Sequence, residues 1–135
     1  MMKQLLLAAL LAPFAVQAQQ VDCARGDLNQ VELNFCAGEE LELADEELNF
    51  AYRLALTEAK AIDAQNAAAG IEMPVPLEEA LRQAQREWVD FRDDACAAEA
   101  LLVQGGTAQP MVGTLCLARL TRTRTEDLAI FTAPR

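Results

Sequence analysis

Four cysteines, Cys23, Cys36, Cys96 and Cys116, are the side chains of this sequence best able to form covalent or metal bonds. Structural zinc needs cysteines two to four residues apart, or histidines at a matching spacing. Here no two cysteines are that close, and the chain has no histidine. An even number of widely spaced cysteines in an oxidising compartment predicts two disulfides instead. Beyond the first eighteen residues there is also no serine, so serine–histidine and cysteine–histidine nucleophile arrangements are unavailable. Carboxylate pairs such as Asp93-Asp94 and Glu39-Glu40 remain, and paired carboxylates are the machinery of glycoside hydrolysis. Among 21 acidic residues such neighbours arise by chance, so they do not mark a catalyst. The expectation is a protein that binds, with no enzymatic activity, no metal and no cofactor.

Residues 1–18 have the layout of a cleaved export signal, which supplies the oxidising compartment. Lys3 gives the positive end, Leu5 to Ala12 an apolar stretch, and Val16-Gln17-Ala18 a small-residue cleavage site. That stretch is too short to span a bilayer and no second one follows, so membrane insertion is not expected. Cys23 follows Gln20-Val21-Asp22 rather than small residues, which predicts a soluble periplasmic or secreted form instead of a lipid-anchored one.

Residues 19–135 suffice for a single domain. They carry 10 basic and 21 acidic side chains, and residues 19–76 hold 12 of the acids against 3 bases. Such a surface repels nucleic acid and anionic lipid and attracts basic proteins. The acids concentrate around the first helix: Asp22, Asp27, Glu32, Glu39, Glu40, Glu42, Asp45, Glu46 and Glu47 face the single base Arg25.

Three amphipathic helices must position these groups. Asp27 with Gln30 has the form of a capping box, which predicts a helix from about Leu28. Its apolar positions Val31, Phe35, Leu41, Leu48, Tyr52, Ala55, Ala59 and Ile62 carry it to about Ala68, with a possible bend at Gly38. Gly70 to Pro76 form a connection, and Pro76 suits a first helical turn. A second stripe follows through Leu77, Leu81, Ala84, Trp88, Phe91, Ala95, Ala98 and Leu102, with a stop at Gly105-Gly106. Thr107 is the preferred cap of a third helix whose first turn takes Pro110. The third stripe is Leu117, Leu120, Arg124, Leu128 and Phe131. Short connections predict an all-α, up-down-up three-helix bundle with a long N-terminal helix.

This layout fixes an expected cysteine pairing. With helix two ending near Gln104 and helix three starting near Ala108, Cys96 and Cys116 each lie roughly 12 Å from the turn and come level. Helices joined this way must approach within about 7 Å, which requires small neighbours; Ala100 and Gly113 qualify. Cys23 then pairs with Cys36, the leading segment folding back along helix one.

Two polar series accompany the apolar stripes. Asp45, Asn49 and Tyr52 share one face of helix one beside Leu48, and Gln85, Trp88, Arg92 and Cys96 share one face of helix two. We read them as structural: Trp88 as a core anchor, and a carboxylate or amide opposite Arg92 and Arg124 to satisfy charges beside the core.

The stretch Ala44 to Tyr52 (ADEELNFAY), the stretch Leu81 to Trp88 (LRQAQREW), then Phe91 to Cys96 (FRDDAC), and Cys116 with Leu120-Thr121 and Arg124 together resemble the LprI-type lysozyme-inhibitor domain family. The resemblance runs from Cys23 to Leu128 and implies an exported helical domain, in a family named for a member that blocks lysozyme. Lysozymes of the common animal type are basic, so Glu39, Glu40, Glu42, Glu46 and Glu47 are the expected partner-binding residues. The rival expectation is a non-inhibitory periplasmic adaptor or immunity module.

Overall fold

Asn29 starts the first helix. Its side chain accepts hydrogen bonds from the amides of Val31 and Glu32, and Glu32 reaches back to the Asn29 amide at 2.8 Å. This reciprocal capping box satisfies amides that the helix itself cannot. The start is therefore two residues later than the Asp27–Gln30 pairing predicts, because Asp27 is instead bonded to Arg25 at 3.0 Å. These observations come from a computed structural model that describes residues 21–134. The export-signal reading lies outside the described residues.

Helix α1 runs from Gln30 to Ala68, about 58 Å at 1.5 Å per residue, and passes through Gly38 without interruption. Helix α2 spans Leu77–Ala100 and α3 spans Gln109–Leu128. Short 3₁₀ turns, Leu101–Val103 and Ala129–Phe131, extend the ends of α2 and α3. The three helices form an up-down-up bundle with no strand among the described residues. In it α3 lies parallel to the N-terminal half of α1, with Gln30 near Met111 and Glu40 near Arg122. Antiparallel to α1, α2 brings Leu77 to Asp63 and Arg92 to Asp45.

The start of α2 depends on α1. Pro76 is the N-cap residue and offers no side-chain acceptor. Asp63 provides it from across the bundle, accepting from the Leu77 amide at 2.7 Å and the Glu78 amide at 3.0 Å. A carboxylate at this end also meets the positive pole of the helix. Arg82 bonds the Glu78 carboxylate, holding its pKa below the usual value. Asp63→Ala is expected to lower stability by about 1 kcal/mol, as loss of a helix cap does; a urea midpoint equal to the parent's would refute the cap.

At the other end of α2 the helix stops at Ala100, short of the predicted glycine pair. Gly105 then turns the chain at φ 80°, a conformation open to glycine. No side chain caps α3: Ala108 occupies the N-cap, and Thr107 is exposed. Gln109 bonds the Gly105 amide across the turn instead, and Pro110 lies in the first turn as expected.

The core is a seam of small residues. Ala37, Ala44, Ala55 and Ala59 of α1 and Ala118 of α3 are buried, with Leu48, Leu81 and Leu128 among them. Trp88, Tyr52, Leu56, Leu77 and Phe131 close over the cluster. Several positions of the expected stripes lie outside it: Val31 is 77% exposed, Leu102 is 83% exposed, and Phe35 and Phe91 are also exposed. Alanines allow helix backbones to approach closely, so the contact line follows them rather than the largest apolar side chains.

Candidate functional site

Two disulfides staple the end of the bundle where α1 begins and α2 turns into α3. Cys23 is joined to Cys36 with their Cα atoms 5.7 Å apart, and Cys96 to Cys116 at 5.4 Å. At the second bridge, a Cβ on Gly113 would stand 3.3 Å from the Ala100 Cβ and 3.9 Å from the Cys96 carbonyl. That crowding explains why a residue without a side chain lies between α2 and α3.

A polar layer crosses the middle of the bundle. Arg92, its side chain 15% exposed, donates through Nη1 to Asp45 Oδ1 and to Thr121 Oγ1, both at 3.1 Å, and through Nε to Asp93 Oδ1 at 2.9 Å. Its guanidinium lies 5.3 Å from the centre of the Trp88 ring, and that of Arg124 lies 5.9 Å from it. Arg124 donates to Gln85 Oε1 at 3.0 Å. Of the two expected partner types, Arg92 thus takes a carboxylate and Arg124 a neutral amide. Burial beside a tryptophan face favours this choice, since one fewer charge is desolvated and the ring itself attracts the cation.

Thr121 is fully buried and Gln85 nearly so, and neither was legible as a core position of a hydropathy stripe. The signal for Gln85 was its register with Trp88, Arg92 and Cys96. Asn49, by contrast, is exposed, while Leu48 is buried and Tyr52 half-buried. Among the described residues no buried side-chain nitrogen or oxygen lacks a hydrogen-bond partner. Through Arg92 the layer links α2 to Asp45 of α1 and Thr121 of α3.

Next to this layer lies an open groove of about 990 Å³ between the N-terminal end of α1 and the C-terminal end of α2, floored by α3. Gln30 and Asn34 line one side, Asp93 and Ala97 the other, and Gly113 and Thr114 the floor. Asp93 is its single lining carboxylate among the described residues, and Arg92 already bonds it. Two carboxylates facing each other across a scissile bond do not occur there.

The acidic surface separates into engaged and unengaged groups. Asp22 accepts from the Ala24 amide, Asp27 and Glu32 meet Arg25, Glu40 pairs with Arg122 at 3.1 Å, and Asp45 holds Arg92. Glu39, Glu42, Glu46 and Glu47 are exposed and make no side-chain hydrogen bond or ion pair among the described residues. Four carboxylates within nine residues of one rigid helix form a concentrated negative surface, of the kind that draws a basic partner. Among the described residues no helix is long and apolar enough to cross a membrane.

Comparison with known proteins gives two findings. The family profile described as Lysozyme inhibitor LprI matches residues 21–128. An uncharacterised protein of Rhizobium meliloti (strain 1021) is 37% identical over 123 residues, spanning 91% of this chain and 87% of its own length. No solved structure matches the chain.

Proposed function

The chain belongs to the lysozyme inhibitor LprI family, and from that premise we propose that it is an exported inhibitor that binds lysozyme or another basic cell-wall hydrolase. The observation that carries the reading is the set Glu39, Glu42, Glu46 and Glu47, four unengaged carboxylates on one disulfide-anchored helix. Charges of this kind steer a basic protein in at long range and fix its orientation at contact. Binding beside the hydrolase's substrate cleft would then block access to the cell wall without any chemistry by the inhibitor.

The test is lysis of bacterial cell walls by a basic lysozyme, with and without the oxidised chain from residue 19 onward. The oxidised chain is expected to slow lysis, and the effect, relative to lysozyme alone at each salt concentration, should fade as salt screens exposed charges. Changing Glu39, Glu42, Glu46 and Glu47 together to glutamine should abolish the slowing while leaving the helical signal intact. Full inhibition by that variant would move the contact elsewhere, and no inhibition of any lysozyme class would favour the adaptor or immunity reading.

A further inference from the structure

Among the described residues, the outer face of α1 is exposed and patterned. Leu43, Phe50 and Leu54 are 60%, 58% and 43% exposed, and at steps of seven and four they form one apolar stripe on the helix side opposite the buried alanines. Seven residues before Leu43 lies Cys36, where the leading segment is tied down by Cys23; beyond that point the stripe is exposed among the described residues. Along its edge run Glu39, Glu46, Arg53 and Lys60, again seven residues apart. Arg53 and Lys60 are the two basic residues of α1. Glu39, Glu46 and Arg53 make no side-chain ion pair or hydrogen bond among the described residues. Lys60 reaches Glu78 only at 3.5 Å and stays 58% exposed.

The order acid, acid, base, base is self-complementary under reversal. We propose that two copies of this chain associate through α1 in antiparallel fashion about a twofold axis. Glu46 then meets the partner's Arg53, and Glu39 meets the partner's Lys60, and each pairing occurs twice. The same alignment brings Leu43 within about 3 Å, along the helix axis, of the partner's Leu54 and places the two Phe50 rings beside the twofold.

Residues seven apart drift by only about 20° along a helix, so all four charges stay at the same seam. A twofold interface uses one patch on both subunits, and flanking charges select partner and orientation where helices pair lengthwise. A parallel arrangement would set acid against acid and base against base. Where the partner's α1 passes the leading segment it presents Ala61 and Ala64, which leave room for it. The general repulsion between two acidic chains is screened beyond about 8 Å at physiological salt, whereas the seam pairs are in contact.

The dimer does not rest on the proposed target. It would, however, cover Glu39 and Glu46, so self-association and capture of a basic hydrolase compete for the same carboxylates.

Sedimentation of the oxidised chain from residue 19 onward, at physiological salt and without any hydrolase, tests the proposal. The parent is expected to reach twice the mass of one chain as concentration rises from micromolar to millimolar. One variant carries Glu39→Lys with Glu46→Arg, the other Arg53→Glu with Lys60→Glu. Each alone should associate about a hundredfold more weakly, since four exposed pairs turn repulsive. An equimolar mixture of the two should dimerise at least as well as the parent, because every seam pair is then opposite in charge. All four changes are on the exposed face, and helical circular dichroism confirms that each variant folds. A parent that stays monomeric, variants that dimerise like the parent, or a mixture that stays monomeric would each overturn the proposal.

Discussion

Replacing Trp88 with alanine is expected to lower the stability of the oxidised chain by about 3 kcal/mol, the lower part of the range for removing a large aromatic side chain from a core, because Trp88 is only partly buried. Three losses combine. The ring closes the cluster of Leu48, Ala55, Ala59, Leu81 and Leu128, and it carries the guanidinium groups of both Arg92 and Arg124. Without it, two cations beside the core lose an attractive surface while keeping their desolvation cost. Urea denaturation monitored by circular dichroism measures the change. A variant that melts like the parent yet no longer binds its target would convert Trp88 from a structural anchor into a contact residue.

Removing the Cys96–Cys116 bridge by changing both residues to alanine is expected to cost about 3 kcal/mol in the chain-entropy model. The bridge closes a loop with a sequence separation of 20. Stabilities of small domains are themselves only about 5–15 kcal/mol, and such a loss raises the unfolded fraction about a hundredfold. Ala100 and Gly113 pack closely here, and that packing survives the substitution, so the cost falls on the unfolded state rather than on native contacts. Equal denaturation midpoints for the parent and the double variant would refute this cost.

The class of fold was legible because three amphipathic segments separated by proline and glycine admit few arrangements. The buried faces were only partly legible. On α2 the hydropathy stripe placed Leu81 inside but also pointed through the exposed Phe91 and Leu102, whereas the other buried positions are Gln85 and Cys96 of the polar series. A glutamine that bonds an arginine and a disulfide cysteine belong inside for reasons that a hydropathy count does not register. On α1 the seam follows Ala37 and Ala44, whose small side chains carry little apolar signal but permit close helix approach. Capping showed the same limit: Asp63 caps α2 from a distance of 14 residues in sequence, which local patterns cannot reveal. The concentration of acids on helix one was plain in the sequence. Which of them remained unengaged depended on where Arg92 and Arg122 fell in three dimensions.

The connectivity of the two bridges bears on how the chain is made. Cys23 joins Cys36 and Cys96 joins Cys116, so each cysteine pairs with its immediate neighbour in the chain. For a chain read as exported, emerging N-terminus first into an oxidising space, the correct partner of Cys23 arrives long before any wrong one. Cys96 and Cys116 follow after the first pair has been consumed. Short loops also close with the smallest entropic cost, so order of emergence and loop length favour the same pairing. Maturation then needs an oxidase but no slow reshuffling of mispaired bridges.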